Sequence, residues 1–254
     1  MNIKVRGIHD WHYVEPIPKK ELRRLYWKEG LSMAKIGERF GIYKGLVYSW
    51  LKRFKIPTRK SHDWHYVDVD LTPSPTLAYV LGALLGDGNI TPRYEIRLRV
   101  IDQLFADSFE KALLKLRFRA RHSKTKADPK NRKPNSLFKS SGCSKKFYDW
   151  FQKLSLEDMK GFALRNREMT ISFVRGFYES EGLSNRAGVV NTNSRLLMVV
   201  KECIEKLGFT TYLCGPYETK HKPIYHLYVS RTEGKAFIKL IKPVIKNKVL
   251  GEYM

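Results

Sequence analysis

Apolar positions in residues 18–59 recur at helical spacing. Leu22, Leu25 and Tyr26 share a face of the first segment, Ile36 and Phe40 of the second, and Val47, Trp50 and Leu51 of the third. Gly30 and Gly41 punctuate these segments and Ser32 stands as an N-cap, so three short helices are predicted. From residue 76 one pattern runs twice. Each run opens on a glycine-bearing apolar helix, Tyr79-Val80-Leu81-Gly82-Ala83-Leu84-Leu85-Gly86-Asp87-Gly88 and Phe173-Val174-Arg175-Gly176-Phe177-Tyr178-Glu179-Ser180-Glu181-Gly182. A strand-like segment follows, then an amphipathic helix (102–115; 193–206), a hairpin and another helix (144–154; 234–241). In the first strand Tyr94, Ile96, Leu98 and Val100 alternate with Arg93, Glu95, Arg97 and Arg99, so period two sends the apolar set to a core and the charged set to the opposite face. Residues 155–169 read as a polar connection between the runs.

The spacing in the first segment resembles a helix-turn-helix: Gly37 where two helices approach, Gly41 at the turn, Ile42 as its anchor and Val47 packed behind. In such motifs the second helix of the pair enters the DNA major groove, and here it would present Tyr43, Lys44, Tyr48, Ser49, Lys52 and Arg53. The alternative is a small helical domain with a solvated basic face. The word His-Asp-Trp-His-Tyr-Val occurs at residues 9–14 and again at 62–67, on either side of this segment. Thr72-Pro73-Ser74-Pro75 then reads as a linker.

Charge narrows the partner. The 254 residues carry 48 Lys and Arg against 25 Asp and Glu, a formal charge of +23, while the hydrophobic fraction of 43% is ordinary for a folded chain. Such a surplus repels itself in a compact state and calls for a polyanion, nucleic acid first. Three widely spaced cysteines, Cys143, Cys203 and Cys214, form no disulfide framework. There is no apolar leader and no stretch long enough to span a bilayer, so the expectation is an intracellular, cytoplasmic protein with no membrane partner.

The sharpest chemistry lies at the ends of the two repeated helices. Gly82 and Gly86 share a helix face, as do Gly176 and Ser180, and small residues at that spacing let backbones approach. If those faces pack together, Asp87 and Glu181 come side by side at two helix C-termini, against the negative end of each dipole and against each other. A divalent cation relieves both conflicts. Hard oxygen ligands favour Mg²⁺, and two carboxylates holding such an ion in a basic protein fit phosphodiester hydrolysis. The arginine face of Arg93, Arg97 and Arg99, joined by Arg119, Arg121 and Lys139, fits contact with DNA. The hairpin tip at 122–135 adds Lys124, Lys126, Lys130, Arg132 and Lys133.

The segments Val80 to Gly88 and Val174 to Gly182 resemble the nonapeptide of the LAGLIDADG homing endonucleases in their single-chain, two-motif form. The resemblance covers residues 76–254. It implies an α+β fold in which an αββαββα unit is duplicated about a pseudo-twofold axis, its antiparallel sheets forming a saddle on DNA, here preceded by the small helical unit. Expected boundaries are 1–70 for the helix-turn-helix region, 71–154 and 170–254 for the halves, and 155–169 for the linker. It implies cleavage of both strands of a long asymmetric site by a monomer, with 3′ overhangs. Asp87 and Glu181 match the metal carboxylates, with Gly86 and Ser180 grouped beside them as metal positions. Mg²⁺ is the expected cofactor, Mn²⁺ a substitute, and Ca²⁺ an ion that binds without supporting cleavage. Supporting polar residues map to Asp102, Gln103 and Asn193, and the catalytic lysine to Lys248 or else Lys246. In the first half the lysine position falls at Glu157 or Asp158, with Lys160 nearby. The motif's sixth position, Leu85 and Glu179, departs from the acidic pattern in the first half and reads as structural. The rival reading is a non-cleaving DNA-binding regulator, or an intron RNA maturase, on the same scaffold.

Overall fold

The computed structural model describes residues 3–6, 11–58, 67–125 and 137–245, and the chain forms two compact units, residues 1–62 and 63–254. In the first unit β1 (Ile3–Arg6) and β2 (Trp11–Val14) pair antiparallel, Ile3 opposite Val14 and Arg6 opposite Trp11. The first His-Asp-Trp-His-Tyr-Val word thus supplies β2, while its His9 and Asp10, and the second copy up to Tyr66, lie outside the described residues. Three helical segments follow. α1 (Lys19–Arg23) runs into a π-helical turn, Arg24–Lys28, then come α2 (Met33–Arg39) and α3 (Lys44–Arg53). Ser32 caps α2 by accepting from the Lys35 N–H at 3.1 Å. Leu22, Leu25, Tyr26, Ile36, Leu46, Val47, Trp50 and Leu51 make one core. Phe40 does not join it. α2 ends at Arg39, Gly41 turns the chain at φ +64°, and the Phe40 ring is left 41% exposed.

The second unit is built on a pair of helices. α4 (Pro75–Leu85) begins with Ser74 as N-cap and proline in its first turn, where a missing N–H costs nothing. α8 (Arg167–Glu181) is capped by Asn166. Around α4 the chain lays down β3 (Gly88–Ile90), β4 (Glu95–Val100), α5 (Gln103–Lys115), β5 (Arg121–Thr125), β6 (Leu137–Cys143) and α6 (Lys145–Phe151). The four strands form one antiparallel sheet in the order β3-β4-β6-β5. Around α8 it lays down β7 (Gly188–Asn191), α9 (Ser194–Lys206), β8 (Thr211–Tyr217), β9 (Ile224–Val229) and α10 (Gly234–Ile241), giving the sheet β7-β9-β8. The first half therefore holds two strands before its central helix, where the pattern indicated one. In the second half the equivalent first strand shrinks to a single bridge, Gly182 to Val189.

The polar connection 155–169 holds a helix of its own. Ser155 and Asp158 cap each other's backbone N–H groups and start α7 (Leu156–Ala163), and α8 begins at Arg167. The two cores are continuous with the central helices: Leu77, Val80, Ile96, Leu98, Phe105 and Phe109 in one, Phe173, Phe177, Leu197, Val200, Leu227 and Phe237 in the other.

Candidate active site

Glycine sets how close α4 and α8 come. A Cβ on Gly82 would lie 2.1 Å from the Phe173 carbonyl oxygen, and one on Gly176 would lie 2.2 Å from the Tyr79 carbonyl oxygen. The contacts are reciprocal, each glycine of one helix facing backbone of the other. One turn further on, a Cβ on Gly86 would lie 2.3 Å from Ser180 Cβ and 3.0 Å from Glu181 Cγ. The Ser180 hydroxyl donates to the Ala83 carbonyl at 3.1 Å, a bond between the helices that leaves its side chain occupied.

This packing brings the C-terminal ends of α4 and α8 together. Asp87 follows Gly86 at the end of α4, and Glu181 is the last residue of α8. Desolvation pushes the Asp87 carboxyl up, although the residue itself is open to solvent. Glu181 is pushed up to about 7, first by desolvation and next by the charge of Asp87, against a lowering hydrogen bond from Asn191. The Asn191 Nδ2 donates to Glu181 Oε1 at 2.9 Å. Among the described residues no group donates a hydrogen bond to the Asp87 carboxylate. Two like charges close together, with one side-chain donor between them among the described residues, fit a hard divalent cation, which would take oxygen ligands and neutralise both. Gly86, next to Asp87, keeps α4 close to Ser180 and Glu181 of α8.

The residues expected to support these carboxylates do other work. Asp102 is the N-cap of α5, accepting from the Phe105 N–H at 3.0 Å, and Asn193 is the N-cap of α9, accepting from the Leu196 N–H at 3.2 Å. Gln103 is an exposed residue of the first turn of α5. The polar side chain that reaches an acid is Asn191, at the last position of β7. Counted back from the equivalent caps, its counterpart in the first half is Val100, the last residue of β4, which has nothing to donate. Lys246 and Lys248 lie outside the described residues. Lys160 is held in ion pairs with Glu157 at 2.7 Å and Glu202 at 3.2 Å, and Asp158 is spent in the α7 capping box.

Glu179 is fully buried and satisfied. Its carboxylate accepts from Tyr79 Oη at 2.6 Å, Arg175 Nε at 2.8 Å and the Val244 N–H at 2.9 Å. It ties α4 to α8 and both to the segment after α10, which the sequence alone does not reveal.

On the first sheet Ile96, Leu98 and Val100 are buried, and Arg97 and Arg99 point the other way. Arg99 pairs in register with Lys139, and Arg97 with Ser141, which pairs in turn with Arg121. Lys139 donates to Glu95 at 2.6 Å. Arg93 and Arg119 are exposed in the turns before β4 and β5. Of the hairpin tip's cations only Lys124 is described, its ammonium 5.2 Å from the Phe138 ring; Lys126, Lys130, Arg132 and Lys133 lie outside the described residues. The opposite face of this sheet holds a cluster the sequence reading did not single out. His122 Nδ1 stands 3.5 Å from Asp107 and 3.6 Å from Glu110 of α5. In the first unit Tyr43, Lys44, Tyr48, Lys52 and Arg53 are exposed on or beside α3, while the Ser49 hydroxyl donates back to the Leu46 carbonyl at 2.8 Å.

No protein-family model matches the chain. It is 32% identical over 153 residues to the uncharacterized protein MJ0314 of Methanocaldococcus jannaschii, covering 55% of this chain and 57% of that protein. It is 28% identical over 181 residues to the uncharacterized protein MJ0398 of the same organism, covering 65% and 59%. The chain thus spans about three-fifths of the length of these curated relatives. Among solved structures it resembles the homing endonuclease I-DmoI in complex with DNA and Mn, with a TM-score of 0.50 at 22% identity, covering 66% of this chain and 96% of that one. It also resembles full-length DUF199/WhiA from Thermatoga maritima, with a TM-score of 0.50 at 10% identity over 72% and 59%. These likenesses show the fold, a mixed α and β architecture with antiparallel sheets. Among the described residues no helix is long and apolar enough to cross a membrane.

Proposed function

We propose that the chain is a divalent-metal-dependent, site-specific endonuclease that hydrolyses both strands of a long, asymmetric double-stranded DNA site and leaves 3′ overhangs. One observation carries the reading. Reciprocal glycine contacts hold α4 and α8 so close that two acids at their C-termini share one electrostatic environment, an arrangement that costs stability in the absence of a cation. The I-DmoI fold likeness, in a structure that contains DNA and Mn, supports it.

Asp87 and Glu181, with Gly86 and Ser180 beside them, would hold the cation, Mg²⁺ first and Mn²⁺ as a substitute. When bound there, it would polarise the phosphodiester as a Lewis acid. The chain's own residues do the rest. Asn191 fixes the orientation of Glu181, and the Gly82 and Gly176 contacts fix the separation of the acids. The sheets would form a saddle along the duplex, with Arg97, Arg99, Arg121 and Lys139 on the first and Arg93 and Arg119 at its edges. Lys248 would stabilise transition-state charge. Because both acids come from one chain, a monomer suffices. The first unit would act as a helix-turn-helix, with Tyr43, Lys44, Tyr48, Ser49, Lys52 and Arg53 extending the footprint. Affinity should fall steeply with salt as phosphate neutralisation releases counterions.

The test is cleavage of a randomised duplex library by wild type, Asp87→Ala and Glu181→Ala, in Mg²⁺ and in Ca²⁺. Double-strand cuts in Mg²⁺ at one enriched long site, absent from both variants and from Ca²⁺, are the expected result. Selective binding with no cut in Mg²⁺ would overturn the enzyme reading and leave a DNA-binding scaffold.

A further inference from the structure

The two sheets differ in chemistry. The strands of the first supply Arg97, Arg99, Arg121 and Lys139 to one outer face. The three strands of the second contain no Lys or Arg at all. Its register fixes which residues share a face. Val190 lies opposite His226, His226 opposite Cys214, and Tyr212 opposite Tyr228. The alternate positions Val189, Leu227 and Val229 are buried in the core, so Val190, Cys214, His226, Tyr212 and Tyr228 form the outer face. Tyr212 is 55% exposed. His226 stacks on Tyr228 with centroids 5.5 Å apart and accepts or shares a 2.9 Å hydrogen bond with its hydroxyl, so much of the polar capacity of that pair is spent within the sheet. Cations appear only at the rim. The Arg186 guanidinium lies 5.2 Å from the Tyr228 ring centroid, and Arg231 and Lys235 line the same hollow as Tyr212 and Tyr228.

We infer that the two sheets read chemically different half-sites of one duplex, the first sheet a guanine-rich half and the second an A·T-rich half recognised through thymine methyl groups. The inference rests on the duplex-binding part of the proposed function and is independent of cleavage. In the major groove guanine offers two acceptors that match a guanidinium fork, whereas thymine offers a methyl group that takes apolar contact. A face with four cations against one carboxylate, Glu95, which pairs with Lys139 and Arg97, can meet the first. A face of tyrosine, valine, cysteine and histidine whose strands carry no Lys or Arg can meet the second. The rim cations Arg186, Arg231 and Lys235 fit the flanking phosphates, which favours a duplex over a second protein as the occupant of the tyrosine face.

The experiment selects duplexes bound by the full chain from a randomised library in EDTA, so that nothing is cut. The expected consensus is G·C-rich in one half and A·T-rich in the other. Arg97→Ala should relax the first half by on the order of tenfold and leave the second unchanged, while Tyr212→Ala should do the reverse. A further arm needs no variant. Replacing thymine by uracil in the A·T half should weaken binding roughly fourfold for each methyl contacted, as removing one buried methyl would, and the same replacement in the other half should be silent. Matching composition in the two halves, silent uracil in both, or relaxation of one half by both variants would overturn the inference. So would self-association of the chain through the tyrosine face with no duplex enriched. An asymmetric site that is bound but never cut in Mg²⁺ would overturn the nuclease reading and leave this one standing. A site cut in Mg²⁺ with chemically equivalent halves would do the opposite.

Discussion

Replacing Glu181 with glutamine should stabilise the metal-free protein, and only where Glu181 would be ionised. The Glu181 carboxyl is pushed from the ordinary 4.5 to about 7 by desolvation and by Asp87. A folded-state value above the unfolded one means that the folded protein binds the proton more tightly, so this group's contribution falls as pH rises from about 4.5 through 7. At roughly 1.4 kcal/mol per tenfold change in proton affinity, the ionised side chain costs at most about 3.5 kcal/mol. Solvent at the open side of the site screens the charge, and about 1–2 kcal/mol is the figure to expect. Glutamine keeps the shape, and its carbonyl oxygen can accept the same bond from Asn191. In chelator at pH 8, E181Q should therefore melt about 2–8 °C above wild type, the range for a domain of this size. At pH 4, below the unfolded value of 4.5, the two should melt close together, because Glu181 is then largely protonated in both the folded and the unfolded chain. Adding Mg²⁺ at pH 8 should raise the melting temperature of wild type and leave E181Q where it is. A gain that is absent at pH 8, or equal at pH 4 and pH 8, would refute the argument that ionised Glu181 is held at a cost.

Other substitutions probe the helix pair and its supports. Gly176→Ala places a methyl against the Tyr79 carbonyl and should cost about 3 kcal/mol in urea unfolding, whereas Gly161→Ala, in α7 with open space around it, should gain roughly 0.4–1 kcal/mol. Tyr79→Phe removes the 2.6 Å hydrogen bond to buried Glu179 and should cost about 1.5–3 kcal/mol by the same assay. Asn191→Ala removes the donor that lowers Glu181, so the acid limb of a Mg²⁺-dependent pH–rate profile should move to higher pH with the fold intact by circular dichroism.

Steric arguments proved readable from the chain because they depend on local spacing. The same 94-residue offset relates Gly82 to Gly176, Gly86 to Ser180 and Asp87 to Glu181, and a helix pair can hold all three relations only by packing those faces. The alternation Arg97, Leu98, Arg99, Val100 sorted two sheet faces for the same reason. Polar assignments were less legible. Asp102 and Asn193 stand one residue before helices, where a short polar side chain satisfies a backbone N–H, and that demand outweighs any reach toward an acid. Charge in residues 155–169 masked a helix whose Ser155 and Asp158 spell a capping box and whose Met159 and Ala163 are four apart and buried. Glu179 read as a structural position, but its partners could not be read, because its donors come from Tyr79, Arg175 and Val244, scattered along the chain.

The repeat is not symmetric where chemistry would occur, and the asymmetry has a local origin. The helices repeat at 94 residues but the caps Asp102 and Asn193 only at 91, because the second half loses most of the first strand that β3 supplies in the first half. Its remaining strand, β7, ends on Asn191, whose amide reaches Glu181, while β4 ends on Val100, whose side chain packs in the core. Glu181 therefore has a fixed orientation and Asp87 does not. Two acids in one electrostatic environment with unequal support cannot hold a cation equally. Both carboxyls are pushed up, Asp87 by desolvation and Glu181 by desolvation and the Asp87 charge, and among the described residues Glu181 alone has an orienting hydrogen bond. Unequal cutting of the two strands, with nicked duplex accumulating before the double-strand product, is what that geometry requires of an enzyme built on it.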